Sequence, residues 1–303
     1  MTKTAWVFPG QGSQAIGMGM DLLELPDAKA KFDQADSILG WSVAEICQNE
    51  DDKVSQTIYT QPCLYVVEAI LADLLKARGQ HPDYVAGHSL GEYSALYAAG
   101  VFDFESGLRL IQRRAQLMDS ASDGMMAALL GFDRDQLEAA LSAARNSAGT
   151  AKNPDVVLAN DNNAGQVVIS GTPDAVNAVL GQVKSKRAVP LKVSGAFHSP
   201  LMAGAAKQFK EVLDTVTFQT AQVPVLSNVD PTPSTDAAEL KDRLDRQMTG
   251  SVRWREISLQ LPQEGVTRVV EVGPGKVLVG IIKRTCSDLV LENVGSVAEL
   301  PEG

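Results

Sequence analysis

Cysteine is scarce in this chain of 303 residues, and its scarcity excludes two classes of protein. The three thiols, Cys47, Cys63 and Cys286, are odd in number, far apart and in no C-x-x-C pair, so neither a disulfide framework nor a zinc site is expected. Histidine is equally scarce. His81, His88 and His198 are too few and too scattered to suggest a metal centre. Positive charge is in deficit, with 27 Lys and Arg against 37 Asp and Glu and a formal net charge of -10. Such a chain repels polyphosphate, which argues against nucleic acid as a partner. No run of 18 apolar residues occurs, so no transmembrane helix and no membrane partner are expected. The segment Met1 to Trp6 has no secretory apolar region. A reducing cytoplasm fits this pattern.

What is present is ordinary globular material, 45% hydrophobic and 21% charged, long enough for one large domain or two. Thr4 to Phe8 reads as a strand ended by Pro9-Gly10, with a glycine-rich loop to Gly19. Helical spacing follows over 21–38 and from Pro62 to Arg78. Tyr84 to Ala86 reads as a strand, Glu92 to Ala99 and Phe104 to Met118 as helices, and Val223 to Val229 and Arg268 to Val272 as later strands. Residues 230–238 read as a surface loop. Strands alternating with helices imply an α/β fold with a mostly parallel sheet. The middle of the chain breaks this rhythm. Strands at Met126 to Leu130, Val156 to Ala159, Gln166 to Ser170 and Ala188 to Val193 alternate with helices at Arg134 to Arg145 and Pro173 to Lys186. The order is βαββαβ, a ferredoxin-like unit. A small domain is therefore expected at 125–194, inserted into a large domain made of 1–124 and 195–303.

Gly87-His88-Ser89-Leu90-Gly91 fits the nucleophile elbow G-x-S-x-G, in which glycines allow a sharp strand-to-helix turn that lifts the serine out of the sheet. The next backbone N–H, from Leu90, points where an oxyanion forms. Chance produces the bare pattern in roughly one chain of this length in ten, so the weight rests on the strand before it and the helix after it. A serine nucleophile needs a base. His88 adjoins Ser89 on the turn and points away, and His81 sits in a loop beside Pro82, so His198 is the base by elimination. No acid stands out as a third member. Gly10 to Ala15 formally fits G-x-G-x-x-A, but no second strand ending in an acid follows, which disfavours a dinucleotide site. A loop of backbone donors beside the active site suits these glycines better. Of Arg113 and Arg114, one can be solvated and the other can face inward to meet an anion; spacing leaves both assignments open.

Taken together, Phe8-Pro9-Gly10-Gln11-Gly12-Ser13-Gln14, Thr60-Gln61-Pro62, Gly87-His88-Ser89-Leu90-Gly91-Glu92, Arg114 followed by Met118, Phe197-His198-Ser199 and Glu271-Val272-Gly273-Pro274-Gly275 resemble, in order and over nearly the whole chain, the malonyl-CoA:acyl carrier protein transacylases of type II fatty acid synthesis. The acyltransferase domains of polyketide synthases share the pattern. The resemblance implies a hydrolase-like large domain with a ferredoxin-like insert. It also implies Ser89 as the acylated nucleophile, His198 as its base, and the backbone N–H groups of Gln11 and Leu90 as the oxyanion hole. Arg114 would bind the malonyl carboxylate, Gln61 would line the site, and Asn160 and Asn162 would border the acyl cleft. A backbone carbonyl near Gln247 would orient the histidine in place of a third acid. Phe197 resembles the malonyl-selective form of the family signature. One departure is Ala115, where the family often has glycine; alanine raises helix propensity and leaves the arginine in place.

The expected reaction is ping-pong transfer of malonyl from malonyl-CoA to the phosphopantetheine thiol of an acyl carrier protein, without metal or prosthetic group, by a monomer. A stand-alone polyketide acyltransferase is the alternative. A thioesterase is opposed by Arg114, because a buried cation needs an anionic substrate to offset it, and a non-catalytic carrier-binding module is opposed by the intact Ser89 and His198. Carrier proteins are typically acidic, as this chain is, so docking needs a local reversal of charge. The stretch from Ala175 to Lys210 contains no Asp or Glu and carries Lys184, Lys186, Arg187, Lys192, Lys207 and Lys210.

Overall fold

Along the strand β1 (Lys3–Phe8) Trp6 and Phe8 enter one apolar cluster while Ala5 and Val7 enter another, the period-two alternation of a strand buried on both faces. The chain is seen in a computed structural model that describes residues 2–121, 124–147, 156–193 and 195–302. Four further strands share this sheet: β2 (Tyr84–Gly87), β7 (Val225–Leu226), β8 (Val266–Val272) and β9 (Val290–Val294). Their order is β7-β2-β1-β8-β9 and every pairing is parallel. The expected strand over Val223 to Val229 shortens to two residues at the sheet edge. The helices Thr57–Ala77 and Phe104–Asp119 cover one face; Trp254–Gln263 and Val277–Lys283 cover the other.

Thr57–Ala77 begins five residues before the expected start at Pro62. The Thr60 hydroxyl donates to the carbonyls of Val54 and Gln56, holding the turn ahead of the proline. Among the described residues this is the helix long and apolar enough to cross a bilayer, but it is a core helix with most of its side chains buried in the fold.

Between β2 and β7 the chain builds a second, antiparallel sheet from β3 (Met125–Phe132), β4 (Val156–Asn163), β5 (Gln166–Gly171) and β6 (Ser185–Pro190), in the order β4-β5-β3-β6. With the helices Arg134–Ser147 and Pro173–Gln182 this is the ferredoxin-like order. Ala127, Leu129, Val167 and Ile169 face those helices, while Met126, Ala128 and Val168 face the parallel domain's cluster. The expected helix over Pro173 to Lys186 overruns: it ends at Gln182, and the edge strand begins at Ser185 rather than Ala188. Pairing with β3, as in Leu130 opposite Arg187, makes a strand of a charged segment with little strand propensity of its own. Ser194, the expected C-terminal limit of the insert, lies outside the described residues.

The antiparallel sheet is tied by main chain to a loop of the large domain. The Asp161 N–H donates to the Val252 carbonyl (3.0 Å) and the Val252 N–H to the Ala159 carbonyl (2.8 Å), tying β4 to the segment after the helix Ala237–Gln247.

Candidate active site

Parallel strands end together, and their C-terminal ends gather loops from distant parts of the sequence. Here β1 delivers Gln11, β2 delivers Ser89 and β7 delivers Asn228 to one edge. At Ser89 the backbone takes φ 53°, the left-handed region a non-glycine residue rarely occupies. The elbow is held by close packing. A Cβ on Gly91 would lie 2.1 Å from the Phe8 carbonyl oxygen, and one on Gly10 would lie 2.4 Å from the His88 carbonyl oxygen. Asn228 clamps the turn from the neighbouring strand. Its Oδ1 accepts from the Ser89 N–H (2.7 Å) and its Nδ2 donates to the Gly87 carbonyl (2.6 Å).

Ser89 Oγ lies 2.7 Å from His198 Nε2. On the other side of the ring, Nδ1 lies 3.0 Å from the Gln247 carbonyl and 3.2 Å from that of Gly250. Gln247 is the last residue of its helix, so its carbonyl is one of those left without an intrahelical donor, at the negative end of the helix dipole. A helix end thus does the work of the missing acid: Nδ1 is the protonated nitrogen and Nε2 faces the serine as acceptor. Burial, reinforced by the positive charge of Arg114, pulls the His198 pKa down to about 3, so the ring is neutral and ready to take a proton. His88 points away, with Nε2 2.9 Å from Asn162 Oδ1 and its ring against Trp254.

The choice left open between the two arginines is resolved. Arg113 is on the outer surface, with Gln208 and Gln116 as partners. Arg114 is 1% exposed. Its Nη1 donates to Gln61 Oε1 (2.7 Å) and its Nη2 to Ser89 Oγ (3.0 Å) and Gln247 Oε1 (3.2 Å), while the guanidinium lies over the Tyr93 ring. The hydrogen-bond partners are all neutral. The buried Glu92 carboxyl acts on the guanidinium through space but makes no hydrogen bond to it, so much of the cost of burying the charge stands, and an anionic ligand group beside Ser89 offsets that cost.

A cavity of about 220 Å³ opens on these groups. Gln11, Leu90, Asn160, Asn162 and Phe197 reach its wall, with Met126, Ala128 and Val168 of the antiparallel sheet opposite. Gln61 is not on that wall; it stands behind Arg114 and sets its direction. Among the described residues the backbone N–H groups of Gln11 and Leu90 have no hydrogen-bond acceptor, as an oxyanion hole requires. Among the same residues no three His, Cys, Asp or Glu side chains group to hold a metal.

Sequence reasoning missed Asn228 and Gly250. For Asn228 there was a signal: it follows a strand, as Ser89 does, and neighbouring parallel strands present their trailing residues side by side. For Gly250, in a loop, there was none.

A family profile described as acyl transferase domain matches residues 5–301. The malonyl CoA-acyl carrier protein transacylase of Synechocystis sp. is 59% identical over 298 residues, covering 98% of this chain and 99% of that protein. The crystal structure of the Synechocystis enzyme superposes with a TM-score of 0.94, covering 99% of each chain. A malonyl-transacylase solved in complex with its type II polyketide synthase acyl-carrier protein is 35% identical, with a TM-score of 0.91 and coverage of 99% of this chain and 98% of that one.

Proposed function

The chain belongs to the acyl transferase domain family, and from that premise we propose that it transfers malonyl from malonyl-CoA to the phosphopantetheine thiol of acyl carrier protein, supplying extender units for fatty acid synthesis. The observation that carries the reading is the buried Arg114 guanidinium, 3.0 Å from the Ser89 hydroxyl. A general esterase gains nothing from a buried cation at its nucleophile, whereas a malonyl donor brings the carboxylate that pairs with it.

In the first half-reaction Ser89 Oγ attacks the thioester carbonyl and His198 Nε2 takes the hydroxyl proton. The backbone N–H groups of Gln11 and Leu90 hold the oxyanion. As the tetrahedral adduct collapses, the C–S bond breaks, His198 returns the proton to the departing sulfur, and free coenzyme A leaves a malonyl-serine ester. In the second half-reaction the carrier thiol gives its proton to His198 and attacks that ester, and the proton returns to Ser89 Oγ. All four groups belong to the chain itself, and no metal or prosthetic group is required. Residues 125–194 act as an insert that closes the cleft over the large domain, the enzyme works as a monomer in the cytoplasm, and the carrier docks near Lys184, Lys186, Arg187 and Lys192.

Intact-mass measurement after mixing with malonyl-CoA tests the reading. One malonyl adduct mapping to Ser89 is expected, and none on Ser89→Ala. An adduct that persists on Ser89→Ala overturns it.

A further inference from the structure

Glu92 is buried three residues after the nucleophile, in the first turn of the helix Gly91–Ala98. An acid suits that end of a helix, but its partners are more specific than the helix dipole. Oε2 accepts from Gln247 Nε2 (2.7 Å) and from the backbone N–H of Asn228 (3.2 Å). These donors belong to different parts of the site. Gln247 holds Arg114 and His198, while Asn228 clamps the Ser89 turn. The Gln247 amide has one workable orientation. Nε2 faces two acceptors, Glu92 Oε2 and the Ser89 carbonyl (2.8 Å), and Oε1 faces the guanidinium, which only donates. Reversed, it would set oxygen against oxygen and N–H against N–H.

Building on the malonyl reading, we propose that Glu92 is a positioning residue for donor selection: its Oε2 joins the clamp on the Ser89 elbow to the clamp on Arg114, and so sets the separation between the nucleophile and the guanidinium that receives the donor's carboxylate. Reach rather than charge accomplishes this, because one acceptor oxygen in that place takes both hydrogen bonds whether or not the group is ionised. Burial pushes the Glu92 carboxyl above its ordinary range, opposed by its hydrogen bonds to Gln247, Ser227 and Asn228 and by the charge of Arg114, so the two substitutions below are needed to part reach from charge.

Two substitutions separate reach from charge. Glu92→Gln keeps the length and an acceptor oxygen but loses the charge. Glu92→Asp keeps the charge but is one methylene short of meeting both donors. The readout is the ratio of kcat/KM for malonyl-CoA to that for acetyl-CoA, taken on one preparation so that any inactive fraction cancels. The ratio is expected to stay within about threefold of the native value in Glu92→Gln and to fall about tenfold or more in Glu92→Asp. An unchanged ratio in Glu92→Asp, or an equal collapse in both variants, overturns the positioning role while leaving the donor reading intact. A native enzyme with no preference for malonyl-CoA overturns the donor reading and this role with it.

Discussion

Ser89 and His198 meet from backbones of the same unusual hand: φ is 53° at the serine and 56° at the histidine, both in the left-handed region, with 2.7 Å between Oγ and Nε2. Neither residue gains from that conformation locally; each is held there by its surroundings. At position 89 glycine relieves the strain and alanine does not, though both delete the hydroxyl. Ser89→Gly is therefore expected to be more stable than Ser89→Ala by about 1 kcal/mol in urea denaturation, with both inactive in malonyl transfer. Equal midpoints and slopes would show that the elbow carries no strain.

On the malonyl reading, Arg114 is expected to govern which donor is accepted. Arg114→Ala is expected to lower kcat/KM for malonyl-CoA by about 10²-fold or more while changing acetyl-CoA far less, since a charge-assisted pair is lost for one donor alone. Lysine is a poor substitute, because a single ammonium cannot reach Gln61 and Gln247 and still present a fork to a carboxylate. Steady-state kinetics with both donors measures this; a parallel loss for the two donors contradicts it.

The acid limb of malonyl-enzyme formation should lie far below pH 6.5. His198 is neutral until its folded pKa of about 3, so kcat/KM should not halve near the ordinary histidine value. Arg114→Gln removes the positive neighbour and should move that limb to higher pH. Stability has its own signature. Between pH 6.5 and 3 the unfolded chain binds a proton at His198 that the folded chain does not. Folding stability from this group is thus complete above about 6.5 and falls as pH falls, by up to about 1.4 kcal/mol per unit. Burial lowers His88 in the same direction and adds to the trend. Stopped-flow acylation and denaturation across pH read the two effects separately.

Carrier docking is expected at the outer edge of the antiparallel sheet. Lys184, Lys186, Arg187 and Lys192 are exposed there, and Leu191 and Val193, which flank Lys192, reach the cavity wall. Lys210 is a weaker contributor than its sequence neighbourhood suggests, because it is paired with Asp214 and Asp245. Reversing Lys186 and Arg187 to glutamate should raise KM for the carrier about tenfold and leave malonyl-enzyme formation from malonyl-CoA nearly unchanged. The difference should shrink in high salt, which screens exposed charges. Equal slowing of both half-reactions places the docking surface elsewhere.

The elbow, the base and the βαββαβ insert were legible because each rests on local pattern: glycine spacing, an elimination among three histidines, alternating apolar positions. The charged strand Ser185–Pro190 was misplaced because its pairing with β3, a long-range contact, outweighs local propensity. Arg114 was more legible than its neighbour made it look. Its positions three and four residues away on either side, Leu110, Ile111, Leu117 and Met118, are all apolar and all buried, so it lies in the middle of the helix's inner stripe. Asn228, Gly250 and the role of Glu92 depend on strand ends and helix ends meeting in space, which spacing along the chain does not record.

The main-chain stitching of β4 to Val252 ties one wall of the cavity to the support of the base. The stitched strand leads into Asn160 and Asn162 on the cavity wall, and the segment it grips also carries Gly250 and adjoins Gln247, the two seats of the His198 ring. Two main-chain hydrogen bonds thus couple the cavity wall to the seat of the base, so the width of the cleft and the aim of His198 are set by the same join.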